Sequence, residues 1–240
     1  MNEDKYQPCP CGSGRKLKFC CYEKSASLSE LSDDELARKA AEFPVHRCLS
    51  SSGWEETGVA QAFVVRQMPN LKYLVGVYLV DVFCLGVKDT FVRFGFGYKE
   101  FNAFIRRSPM QFHEVDYEHV RSIVLGAAEY ARQLGFEPHE DWANSKSIIE
   151  SERSFDRKFK FGKDGEPFYI QGPFDDAKTI MTRLAPLVKQ GKAHYLTLVD
   201  GFDDDFDDYA SLYERYDEIR ELILQKSFEK ARHEIEDMFE

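Results

Sequence analysis

Four cysteines fall within thirteen residues near the start of the chain, in the run Cys9-Pro10-Cys11-Gly12-Ser13-Gly14-Arg15-Lys16-Leu17-Lys18-Phe19-Cys20-Cys21. In a reducing compartment, clustered cysteines serve more often as metal ligands than as disulfides. Zinc asks for four soft ligands in a tetrahedron, with Zn–S near ~2.3 Å. Thiols this close in sequence converge on one ion only if the backbone reverses sharply between them. Gly12 and Gly14 permit the reversal without a Cβ penalty. Amides around Gly12 and Ser13 are placed to donate to thiolate sulfur. Four thiolates around a dication leave excess negative charge, which Arg15, Lys16 and Lys18 offset or turn toward a partner. A site closed by four protein ligands is structural and not catalytic.

The run resembles the SEC-C motif, in which a C-x-C pair, eight residues, and a Cys followed by His or Cys enclose Gly-Ser-Gly and two lysines. Arg15 stands where the motif often has Lys, which keeps the charge. The resemblance implies that Cys9, Cys11, Cys20 and Cys21 ligate Zn2+. The motif ends the bacterial secretion ATPase SecA and recurs in YecA- and YchJ-type proteins. In SecA it resembles a docking module for a chaperone and for ribosomes. The expectation here is a module that docks on a ribosome, nucleic acid or protein through Arg15, Lys16 and Lys18. Residues 23–240 carry no such resemblance.

The net charge of −10 is unevenly placed. From Asp200 to Glu240 there are fifteen acidic and five basic residues, whereas the first 199 residues balance at 27 of each. A large generic affinity for nucleic acid is therefore not implied by the body. The longest apolar run, Leu74 to Val87, is broken by Gly76, Asp81 and Gly86 and falls short of the ~18–20 residues of a membrane span. The first five residues lack the basic-then-apolar pattern of a signal peptide. These features predict a cytoplasmic protein.

With 43% hydrophobic residues and 20 Phe, the chain has the composition of a core-forming protein. Its pattern predicts an α+β fold: a zinc module over 1–22, a Ser-rich tether over 23–31, and a mixed body over 32–240. Ser32-Asp33-Asp34-Glu35 is a capping box opening a short helix that Pro44 stops. Residues 59–66 and 72–85 read as a hairpin whose second strand is apolar at both parities, hence buried on both faces. Residues 90–96 extend that sheet. Helices are expected over 98–107, from Asp116 as N-cap to Gly135, over 142–150, and over a stripe from Ala177 to Val188 bent by Pro186. Residues 158–161 and 167–170 read as a second hairpin around Gly162-Lys163-Asp164-Gly165, and 194–199 as a further strand. The acidic loop 200–208 leads into a C-terminal helix of about thirty residues, long enough for a homodimer contact.

Catalytic candidates in the body are weaker. Asp81 sits in the apolar run Leu79-Val80-Asp81-Val82-Phe83, where an ionised carboxylate is costly unless paired or metal-bound. It is either a metal ligand or general base of a hydrolase or nuclease, or one half of a buried pair with Arg66, Lys88 or Arg93. His139, in His139-Glu140-Asp141, either joins Asp81 at a metal or satisfies helix carbonyls. Lys88-Asp89, at the strand's end, reads as turn polarity, and His46-x-Cys48 as a surface His beside a core Cys. Residues 162–165 lack the pattern of a phosphate loop, and residues 200–208 lack Ca-loop spacing. A third possibility is an assembly subunit acting through the C-terminal helix.

Overall fold

The computed structural model describes residues 6–9, 13–21, 28, 31–70, 72–108 and 110–197. Cys11, most of the expected tether, the acidic segment 200–208 and the helix expected after it lie outside the described residues. The body is mixed α+β. Among the described residues, no helix is long and apolar enough to cross a membrane.

The centre is an antiparallel meander of β2 (Val59–Gln67), β3 (Tyr73–Asp81) and β4 (Gly86–Phe96). β1 (Val45–Ser51) pairs with the free side of β2, and β5 (Phe112–Val115) pairs with β1. The order is β4-β3-β2-β1-β5, all antiparallel.

The helices are α1 (Asp33–Arg38), α2 (Trp54–Thr57), α3 (Tyr98–Arg107), α4 (Tyr117–Gln133), α5 (Trp142–Ser145) and α6 (Ala177–Val188). All nine residues of β3 are buried, because both faces of the sheet are covered. Ala62, Val64, Leu74, Tyr78 and Val80 share one core with Val120, Ile123, Val124 and Ala127 of α4. Phe63, Val65, Tyr73, Val75 and Val77 share the other with Phe101 and Phe104 of α3. Each large side chain so buried contributes about 1.5–3 kcal/mol.

Local signals set the helix ends. The Ser32 hydroxyl accepts from Glu35 N at 3.4 Å, and Glu35 Oε2 accepts from Ser32 N at 2.8 Å, which completes the capping box. Asp116 Oδ1 accepts from His119 N at 2.6 Å. At the far end of α4, Gly135 is left-handed (φ 84°) and Phe136 N donates back to Ala131 O at 2.9 Å.

Three expectations need correction. The strand expected over 72–85 ends at Asp81, and residues 82–85 form the turn into β4. The hairpin of 158–161 with 167–170 does not form. Phe159 and Phe161 pack against the α4 core without a ladder, and β6 (Phe168–Ile170) instead pairs in parallel with β7 (His194–Leu196). Parallel neighbours need a crossover, and α6 lies between them in the chain. The helix expected over 142–150 keeps one turn, α5, and then breaks.

Two buried arginines account for that break. Arg66 donates to Ile148 O (2.8 Å), Phe43 O (2.7 Å), the Tyr117 hydroxyl (2.7 Å) and Glu150 Oε2 (3.0 Å). Arg121, fully buried, donates to Ile149 O, Glu150 O, Arg153 O and Ser154 O. Carbonyls taken up by guanidinium groups are withdrawn from a helical ladder. The segment 148–154 is thereby tied to β2 and α4.

Candidate metal centre

The N-terminal run folds as a tight loop. Pro8 and Lys16 form an isolated antiparallel bridge, Cys9 N donates to Arg15 O at 2.7 Å, and Leu17 N donates to Gln7 O at 2.9 Å. Gly14 turns the loop with φ 71°. A 3-10 turn, Leu17–Phe19, follows, closed by Cys20 N on Leu17 O at 3.1 Å.

That geometry carries Cys20 and Cys21 back onto Cys9. The three sulfurs lie within 4.8 Å of one another. With Zn–S near ~2.3 Å, two sulfurs on one ion are at most about 4.6 Å apart, so the set is close to ligating distance as it stands. Cys9 and Cys21 are buried and cluster with Leu17. The Ser13 hydroxyl lies 3.2 Å from Cys20 Sγ, the kind of polar contact that orients a thiolate ligand. The three thiols can hold a metal ion; Cys11 lies outside the described residues.

Around this loop, Arg15 and Lys16 are exposed and Lys18 is half-buried. Lys16 Nζ and Lys18 Nζ sit 5.8 and 5.3 Å from the centre of the Tyr6 ring, and Lys18 Nζ also lies 5.5 Å from that of Phe19. Tyr6 and Phe19 are more than half exposed, at 55% and 56%. Cations and aromatic faces thus alternate on one solvent-facing surface.

The structure also places the candidates of the body. Asp81 is buried, and its Oδ1 accepts from Phe83 N (2.9 Å) and Cys84 N (2.8 Å), so it caps the β3–β4 turn. Lys88, one of its expected partners, pairs with Asp175, and Arg66 pairs with Glu150. His139 meets Asp89 and Asp141 instead of Asp81: its Nδ1 lies 3.8 Å from Asp89 Oδ1 and 3.7 Å from Asp141 Oδ2. Asp89 and His139 each occur in a polar cluster of the sequence, but fifty residues of chain separate them and no spacing rule links the two. Cys48 is a core residue and His46 is exposed, stacked on Tyr73. Burial pushes the Cys48 thiol up to about 12 and raises Cys84 further, so neither is a ready nucleophile.

No curated protein and no solved structure matches the chain. Residues 7–23 match the model of the SEC-C motif, the family whose spacing of cysteines the loop carries.

Proposed function

We propose that the N-terminal run is a zinc clasp, with Cys9, Cys11, Cys20 and Cys21 as ligands, and that it docks the protein onto a nucleic acid, ribosomal RNA included. The observation that carries the reading is the surface beside the thiols, where Lys16 and Lys18 interleave with exposed Tyr6 and Phe19 and Arg15 is exposed in the same loop. Cations neutralise phosphates and exposed rings stack on bases, the pairing used by single-strand binders. In this reading residues 1–22 are a module, 23–31 a tether, and 32–240 a body that the clasp delivers to its site of action in the cytoplasm. Zinc is favoured over other ions because an all-thiolate set is soft.

Zinc content by mass spectrometry and binding of a fluorescent single-stranded RNA test this reading. One zinc per chain is expected, lost in the Cys20→Ser, Cys21→Ser double variant. RNA affinity should fall at least tenfold in the Arg15→Ala, Lys16→Ala, Lys18→Ala variant, with a shallower salt dependence. Unchanged RNA binding in that variant overturns the docking role. Loss of an acidic protein partner in its place would move the role to a protein surface.

A further inference from the structure

A second metal-competent group lies in the body, away from the cysteines. The pairing of β3 with β4 goes from Leu79 opposite Asp89 to Val80 opposite Val87, so Lys88 is an extra residue in β4. Such bulges re-aim the side chains beside them. At the same point His139 N donates to Val87 O at 3.0 Å, which pins the 136–141 segment beside the bulge. Three donors are thereby gathered from β4 and from the turn before α5: Asp89, His139 and Asp141, whose ligand atoms all lie within 4.8 Å.

The ring nitrogen nearest the two carboxylates is Nδ1 of His139. Asp141 N–H donates to His139 Nδ1 at 3.3 Å, a contact that an ion bound at that nitrogen would replace. Oxygen and nitrogen donors lie at ~2.0–2.2 Å from a bound ion, so two donors of one ion are at most about 4.4 Å apart. The 3.7 and 3.8 Å separations fall inside that span. All three side chains are partly exposed, and Asp141 also lines a cavity of about 220 Å³ with Asp33, Asp34, Phe91, Phe94 and Asn144.

We propose that Asp89, His139 and Asp141 bind a divalent ion of the Mn2+ type, with its remaining positions open toward that cavity. One imidazole and two carboxylates make a harder set than thiolate, and favour a different ion from the clasp. The proposal does not depend on the clasp's docking role.

Titration of the zinc-loaded full chain with Mn2+, followed by electron paramagnetic resonance of free Mn2+, tests it. One Mn2+ per chain is expected, with affinity at least tenfold weaker in His139→Asn and in Asp89→Asn. The Cys20→Ser, Cys21→Ser variant should bind Mn2+ as the wild type does. Far-UV circular dichroism identifies any variant that fails to fold, and the other variant then decides. No saturable Mn2+ binding by the wild type, or unchanged affinity in a folded variant, overturns the proposal.

Discussion

Arg66 in β2 donates to the Glu150 carboxylate at 3.0 Å across 84 residues of sequence, with only 3% of the arginine side chain exposed. The pair joins the sheet to the irregular segment after α5, and Tyr117 completes it by donating to Glu150 Oε2 at 2.7 Å. Removing one partner of a buried pair leaves the other uncompensated. Arg66→Met should lower unfolding free energy by about 3–5 kcal/mol, read from the urea midpoint. A loss under 1 kcal/mol would show that the segment is held by its apolar contacts alone.

The same pair predicts acid sensitivity. Burial raises the Glu150 carboxyl, but hydrogen bonds from Tyr117 and Arg66, with the charges of Arg66 and Arg153, outweigh it and hold the group below its ordinary value of 4.5. A carboxyl depressed in the folded state contributes stability above its unfolded value and loses it as pH falls through the folded value. Stability should decline below pH 4.5, and Glu150→Gln should flatten that decline while lowering stability at pH 7. Parallel pH profiles of the two proteins would refute the assignment.

Two glycines with nearly the same φ should respond unequally. Gly86 (φ 72°) opens β4, and a Cβ there would meet Ala131 Cβ at 2.7 Å and Ala127 O at 3.0 Å. Gly14 (φ 71°) faces open space. Gly14→Ala should carry only the left-handed penalty of about 1–2 kcal/mol, reducing metal affinity of the clasp. Gly86→Ala adds a clash with α4 and should destabilise the body by a further 1–3 kcal/mol or so. Thermal melts of the body and metal-competition titrations of the clasp separate the two effects.

Thiol chemistry should divide the six cysteines. Cys48 and Cys84 are buried with thiols shifted upward by desolvation. After any bound metal is removed by a chelator at pH 8, a disulfide reagent should label the four N-terminal cysteines quickly and these two only in denaturant. Fast labelling of all six in native buffer would contradict the packing described around Cys48 and Cys84.

Where one segment supplied its own chemistry, the sequence was readable. The Ser32–Glu35 box, the Asp116 cap, Gly135 and the β2–β3–β4 hairpins all follow from residues a few positions apart. β1 was missed because its buried end carries Ser50 and Ser51, so hydrophobic alternation is absent. Residues 158–161 misled for the converse reason. Their alternation records Phe159 and Phe161 packing on α4, with Phe161 set into the space left by Gly126, and burial of one face does not require a paired neighbour. The two buried arginines and the Asp89–His139 approach arise only once distant segments meet. Cys9, Cys20 and Cys21, by contrast, are brought together within a single loop.

The strand order has a kinetic consequence. Three of its four pairings join sequence neighbours, β1 to β2, β2 to β3 and β3 to β4, through connections of a few residues. Chain closure over short loops is fast and entropically cheap. The meander is thus the natural nucleus, with α4 condensing on it. The β6–α6–β7 unit, whose parallel pair spans about two dozen residues, is left to dock last and to come away first under mechanical or thermal load.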